Sequence, residues 1–264
     1  MPARLKIPLL SRTLGVIFLA TASLPSPTTG AGATESAQAL SALRAEDDAT
    51  GRAAKPAAAP TGEWRESFHV DKANWASTGR NPYFVLEPGY RLHFAHGKAT
   101  LTVSVLDETK TVDGVETRVV EEREERNGGL TEVSRNYFAI DRATNDVFYF
   151  GEDSDGYRNG KVVSREGSWL SGVGGAAYGL MMPGRIEVGD KFYQEIAPKV
   201  AMDRAEVVAV GREVETPAGT FKGCVRMKET SPLEMGTSEK WYAPDVGLIR
   251  DDEFVLVKID RGAR

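Results

Sequence analysis

Residues 101–140 read LTVSVLDETKTVDGVETRVVEEREERNGGLTEVSRNYFAI, and this stretch decides the fold class. Leu101, Val103 and Val105 alternate with polar residues, which is the period of a strand with one buried face. Asp113-Gly114 and Asn127-Gly-Gly129 are hairpin signals, because Asn, Asp and Gly accept the positive φ that tight turns need. The stretch therefore predicts three antiparallel strands, of which the second and third are Val115–Glu125 and Leu130–Ile140.

Further turn signals follow along the rest of the chain. Pro88-Gly89 and Pro183-Gly184 predict type II turns with glycine at positive φ. Asn159-Gly160 is another hairpin signal, and no long helical period lies between the turns. The fold class predicted is all-β: a single curved antiparallel meander sheet or partly open β-barrel (half-barrel) of about ten strands, with a β-sandwich as the alternative. Further strands are predicted at Lys161–Trp169, Lys191–Ala197, Arg204–Val210, Lys222–Glu229, Ser238–Tyr242, Leu248–Arg250 and Phe254–Ile259.

Residues 1–33 have the order of a secretory signal peptide. Basic residues without acids come first, the apolar run Leu14–Ala22 follows, and Ala31-Gly32-Ala33 is a small-residue cleavage site, with cleavage after Ala22 as the alternative. The apolar run is shorter than the about 20 residues that cross a membrane. We therefore expect an exported protein without a stable membrane anchor, in the periplasm or, alternatively, outside the cell.

The mature part divides into an Ala/Pro-rich linker at 34–61 and an antiparallel β domain at 62–264. The full chain carries 33 Lys and Arg against 38 Asp and Glu, and cleavage removes three of the basic residues. An acidic domain is a poor partner for nucleic acid or an anionic membrane. Cys224 is the single cysteine, so no internal disulfide is expected.

Few residues of the sequence suggest metal binding or catalysis. Glu152, Asp153 and Asp155 precede Gly156, and carboxylates on a tight turn are a weak calcium candidate. The same carboxylates are the nearest candidates for acid/base catalysis on a polysaccharide. No catalytic residue is assigned, because neither a G-x-S-x-G nor an H-E-x-x-H motif occurs. No cofactor other than calcium is predicted.

Aromatic residues concentrate on the central strands and give the best ligand-binding candidates. They form either a core or the lining of an apolar cavity in a curved sheet. The glycine-rich segment 171–184 is either a flap over such a cavity or an ordinary connection. The predicted ligand-binding residues are Tyr137, Tyr149, Trp169, Tyr178 and Met181.

Five sequence blocks between residues 81 and 248 carry a resemblance to known proteins. They are Asn81-Pro-Tyr-Phe with Glu87-Pro-Gly-Tyr90, Gly151-Glu-Asp through Gly167-Ser-Trp169, Gly189-Asp with Gln194-Glu195, Thr216-Pro-Ala-Gly-Thr-Phe221, and Tyr242-Ala-Pro through Gly247-Leu248. Together they resemble an uncharacterised family of exported bacterial β-proteins. The last two blocks also resemble periplasmic half-barrel domains of unknown function related to lipoprotein carriers, which implies a curved sheet around an apolar cavity and no known catalytic residues.

The leading functional hypothesis is a non-enzymatic binding or carrier module for an apolar or amphipathic ligand of the cell envelope. One alternative is a carboxylate-dependent enzyme that acts on an envelope or extracellular polysaccharide. Another is a structural domain that binds an envelope protein through the charged segment Glu121–Arg126, which we interpret as a solvated hairpin arm.

Overall fold

The computed structural model describes residues 62–262, which form a large antiparallel sheet nearly closed into a barrel. A 3-10 helix at Lys72–Asn74 precedes the strands, and no α-helix occurs in the described part. The strands are β1 (Trp75–Ala76), β2 (Gly79–Asn81), β3 (Phe84–Leu86), β4 (Tyr90–His96), β5 (Ala99–Val112), β6 (Val115–Arg126), β7 (Gly129–Asp141), β8 (Val147–Arg158), β9 (Lys161–Ser164), β10 (Trp169–Leu170), β11 (Ala177–Met182), β12 (Lys191–Tyr193), β13 (Glu195–Ile196), β14 (Arg204–Thr216), β15 (Gly219–Thr230), β16 (Ser238–Ala243), β17 (Gly247–Asp251) and β18 (Phe254–Arg261).

Sixteen of these strands share one sheet. Its order is β12-β14-β15-β16-β17-β18-β4-β5-β6-β7-β8-β11-β13, with β1 beside β7 and with β9 and β10 beside β8. Strands β2 and β3 form a separate hairpin. Most neighbours in the sheet are also neighbours in sequence, which is the meander that the turn signals predict.

The two ends of the sheet are consecutive in the chain. Strands β12 and β13 are separated by Gln194 alone, so the backbone itself passes from one end of the sheet to the other. The amides of Gln194 and Glu195 both donate to the carbonyl of Asp203, at 2.8 and 3.1 Å. The barrel therefore has one seam that no strand ladder seals, and it lies at Gln194.

The all-β, partly open barrel predicted from the sequence is confirmed, and the β-sandwich alternative is wrong. The hairpins at Asp113-Gly114 and Asn127-Gly128 join β5 to β6 and β6 to β7, with φ between 51° and 77° at all four residues. The described residues form 18 strands, against about ten predicted. Two of the predicted strands are each divided: Lys161–Trp169 into β9 and β10, and Lys191–Ala197 into β12 and β13.

Gly184 corrects one turn prediction. Gly89 has the expected positive φ of 85°, but Gly184 is not among the glycines with positive φ. A side-chain carbon on Gly184 would lie 1.9 Å from the carbonyl oxygen of Thr144, so the glycine is required by a close approach. Its amide donates to Asp146 Oδ1 at 2.6 Å, which holds the connection against the β7–β8 turn.

The predicted signal peptide (1–33) and linker (34–61) lie outside the described residues. Within residues 62–262, no helix has the length and apolar character needed to cross a membrane.

Candidate functional site

A small apolar pocket of about 40 Å³ lies inside the barrel. Valine, leucine and aromatic side chains of β3 to β7, β16 and β17 line it. Phe84 and Val103 are half-buried, whereas the other lining residues are buried. Phe84 and Val103 are therefore the most exposed lining residues, and we take them as the opening of the pocket.

Two polar side chains interrupt the apolar wall of this pocket. Glu122 lies on β6 opposite Val103, and Tyr242 lies on β16 opposite Leu248. Glu122 is 8% exposed and Tyr242 is 1% exposed. Within residues 62–262, Glu122 Oε1 and the Tyr242 hydroxyl have no hydrogen-bond partner. The pocket thus combines an apolar lining with two buried groups that can still accept a hydrogen bond.

Burial decides the protonation of both groups. Burial raises the pKa of Glu122 to about 7; Lys240 opposes this, while Glu132, Glu124 and Glu229 reinforce it. Burial also raises the pKa of Tyr242 well above its usual value, so its hydroxyl stays protonated. Near neutral pH, Glu122 can therefore exist with or without its proton.

A buried ion pair lies deeper in the barrel. Lys240 Nζ is 2.9 Å from Glu229 Oε2, with the two side chains 1% and 3% exposed. Gln194, at the seam, donates from Nε2 to Glu229 Oε1 at 3.0 Å. These residues line a second cavity of about 10 Å³ together with Tyr149 and Met181, which is room for about one water molecule.

Further carboxyl groups surround the Lys240–Glu229 pair. Burial raises the pKa values of Glu152, Glu195 and Asp251 well above the usual range. Burial lowers the pKa of Lys240, but the neighbouring Glu229 and Asp251 outweigh this and raise that pKa well above its usual value. The interior therefore favours protonated carboxyl groups around one charged lysine.

The predicted ligand-binding residues occupy different places. Tyr149 and Met181 line the 10 Å³ cavity, and the ring centroid of Trp169 is 5.4 Å from that of Tyr149. Tyr178 instead stacks on another ring, that of Phe150, with centroids 4.9 Å apart. The structure thus brings three of the predicted residues together in the barrel.

Tyr137 lies apart from those three. Its hydroxyl donates to Asp153 Oδ2 at 2.5 Å, and Lys110 Nζ lies 4.2 Å from its ring centroid. None of the five predicted residues lines the apolar pocket. Their role in ligand binding stays a prediction.

The carboxylates of the calcium candidate have different partners and surroundings. Asp153 pairs with Lys110 at 2.9 Å, Asp155 accepts a hydrogen bond from Arg165 at 2.9 Å, and Glu152 is buried opposite Trp169. The predicted tight turn is wrong, because β8 continues through all three residues. No group of three or more His, Cys, Asp or Glu side chains in the described part of the chain is arranged to hold a metal ion.

Sequence reasoning missed the polar residues of the interior. The interpretation of Glu121–Arg126 as a solvated arm is wrong for Glu122, since β6 keeps its place in the barrel wall to its end. Val120 and Glu122 share a strand face, and the burial of Val120 extends to Glu122. For Lys240 no comparable signal exists, because its partner Glu229 lies on a different strand.

Comparisons with known proteins add little to this geometry. No family model matches the chain, and no curated protein matches it. Among solved structures, it is similar to a putative lipoprotein from Parabacteroides distasonis ATCC 8503, at 14% identity and a TM-score of 0.34. The match covers 69% of this chain and 100% of that chain. This likeness carries no argument about function, and the resemblance to exported bacterial β-proteins stays a prediction.

The raised pKa of Glu122 predicts a pH-dependent stability. Its pKa is about 7 in the folded protein, against an ordinary value of 4.5 that applies to the unfolded chain. Between these values the unfolded chain has lost the proton that the folded protein keeps, so stability falls as pH rises through this range. The whole shift corresponds to about 3 kcal/mol.

We expect Glu122→Gln to be more stable than the wild type at pH 8, by about 1–3 kcal/mol, and to match it more closely at pH 5. Urea unfolding at the two pH values measures the difference. Glu253→Gln, at a carboxylate with 64% of its side chain exposed, is the control. An unchanged pH dependence in Glu122→Gln would contradict the assignment.

Proposed function

We propose that the protein is an exported, non-enzymatic module that binds a small apolar or amphipathic ligand in the apolar pocket. The observation that carries the proposal is the pair of unpartnered polar atoms, Glu122 Oε1 and the Tyr242 hydroxyl, in an otherwise apolar wall. Leaving such a buried group unsatisfied costs about 1–3 kcal/mol. A ligand with one polar end removes that cost while its apolar part contacts the valine and leucine side chains.

The size of the pocket limits the ligand. About 40 Å³ holds only a few non-hydrogen atoms, whereas pockets for drug-sized ligands measure about 300–1,000 Å³. Phe84 lies at the opening and packs on Phe138, with ring centroids 5.1 Å apart. A larger ligand therefore has to displace Phe84, while a short-chain ligand does not.

No observation favours the polysaccharide enzyme to the same degree. Glu152, Asp153 and Asp155 have different surroundings: Glu152 is buried, while Asp153 and Asp155 pair with basic side chains. They therefore present no facing pair of carboxyl groups in an open cleft.

The proposal predicts that n-butanol binds beside Val103. Titration followed by methyl resonances should shift the valines of the pocket, and Val103→Phe, which fills the opening, should weaken binding by about tenfold or more. Val162→Phe is the matched control, because Val162 is 41% exposed on β9 and distant in sequence from the pocket strands. The proposal fails if n-butanol leaves the pocket methyls unshifted, or if both variants bind it as the wild type does.

A further inference from the structure

The pocket lacks hydrogen-bond donors for its ligand-facing polar groups. Glu122 Oε1 is an acceptor when the carboxyl group is ionised, and the Tyr242 hydroxyl has free acceptor capacity. A third hydroxyl on the same wall, that of Tyr90, already donates to the carbonyl of Val246 at 2.9 Å. The Tyr242 hydroxyl can donate or accept, so the group that specifically lacks a donor is the carboxylate of Glu122.

The charges that face Glu122 are mostly negative. Glu124 on β6, Glu132 on β7 and Glu229 on β15 act on it from three strands, and Lys240 on β16 is the cation among them. Two further buried carboxyl groups, Glu152 on β8 and Asp251 on β17, interact with Glu122 as well. Glu122 therefore interacts with carboxyl groups on β6, β7, β8, β15 and β17, and with one ammonium group on β16.

Lys240 compensates the charge of Glu122 only in part. Its ammonium group lies 2.9 Å from Glu229, and Asp251 is its direct neighbour across β16 and β17. The positive charge is therefore paired first with Glu229. In a water-poor interior, a second cation beside Glu122 would form a new charge-assisted hydrogen bond without displacing an existing one.

We propose that the polar end of the ligand is a protonated amine, which donates to Glu122 Oε1 and to the Tyr242 hydroxyl while its alkyl part fills the apolar pocket. This inference rests on the proposed function, and it adds the chemical class of the ligand. A carboxylate head would meet carboxyl groups from several strands, which disfavours it. A hydroxyl head satisfies one hydrogen bond but adds no positive charge beside an ionised Glu122, which Lys240 compensates only in part.

The pH dependence of the affinity distinguishes an amine ligand from an alcohol. An alkylammonium ion, with a pKa near that of a lysine side chain, keeps its charge throughout the neutral range. Its binding favours ionised Glu122, so the carboxyl proton passes to solvent when Glu122 was protonated. Amine affinity should therefore rise with pH across the neutral range, whereas alcohol affinity should not.

Three probes with the same chain length test this: n-butylamine, n-butanol and butyrate, titrated at pH 6 and pH 8 with calorimetry and methyl resonances. We expect n-butylamine to bind about tenfold tighter than n-butanol at pH 8, to lose much of this advantage at pH 6, and butyrate to bind least. Glu122→Gln should abolish the amine preference and still bind n-butanol. Tyr242→Phe, which removes a hydroxyl without a partner, should retain a reduced preference.

The outcomes separate the two proposals. If n-butanol binds but n-butylamine gains nothing over it, or if Glu122→Gln keeps the amine preference, the amine inference is overturned and the binding function stands. If butyrate binds as tightly as the amine, the charge argument is wrong. If none of the three shifts the pocket methyls, both proposals fall. Should Glu122→Gln fold poorly, the comparison of the three probes on the wild type and on Tyr242→Phe decides the matter.

Discussion

Lys240→Met is expected to destabilise the protein by about 3–5 kcal/mol, because it removes the cation of a fully buried ion pair. Glu229 would keep its hydrogen bond from Gln194 but would lose the ammonium group 2.9 Å away. Asp251, the direct neighbour of Lys240 in the ladder, would lose the cation that opposes the rise of its pKa. Urea unfolding of the wild type and the variant at neutral pH measures the loss.

The double variant Lys240→Met/Glu229→Gln isolates the charge effect. Gln keeps the oxygen that accepts from Gln194, so we expect the double variant to recover most of the lost stability. Lys222→Met is the surface control, since that side chain is 82% exposed and pairs loosely with Glu213 at 3.4 Å. A loss in the double variant equal to that in Lys240→Met would show that packing, and not charge, explains the effect.

The fold could be predicted because its signals are local. Alternation along β5, and the dipeptides Asp113-Gly114 and Asn127-Gly128, specify long hairpins from neighbouring residues alone. The closure of the sheet could not be predicted in the same way. It depends on Gln194 bringing β12 and β13 together, which only the full set of long-range contacts determines.

The candidate site was harder to predict because its polar residues contradict their local pattern. Glu122 lies within the run Glu121–Arg126, where composition favours a solvated strand. Lys240 shares its face with Ser238 and Tyr242, a polar sequence that predicts a solvent-facing surface. Both side chains are buried because they lie on the inner face of the nearly closed sheet. A sequence pattern records which residues share a face, but not which face becomes the interior.

Gly179 shows how closely the seam is packed. It lies on β11, opposite Tyr149 on β8, and the chain segment that joins β12 to β13 passes over it. A side-chain carbon on Gly179 would lie 2.3 Å from the carbonyl oxygen of Gln194 and 2.4 Å from its carbonyl carbon. These are backbone atoms, so no side-chain rotation can make room for a methyl group.

Gly179→Ala is therefore expected to cost about 3 kcal/mol or more, at the upper end of overpacking effects. Gly179 is not among the residues with positive φ, so the cost is the clash with the segment at Gln194 and not a strained backbone. Displacing that segment would also weaken the hydrogen bond from Gln194 to Glu229, and we expect the amides of Gln194 and Glu195 to lose protection from hydrogen exchange. Gly129→Ala is the matched control, because its added carbon would meet Arg126 at an ordinary 3.6 Å. Equal stability of the two variants in urea would mean that the seam opens without cost at Gln194, and the barrel would then have to be regarded as an open half-barrel in solution.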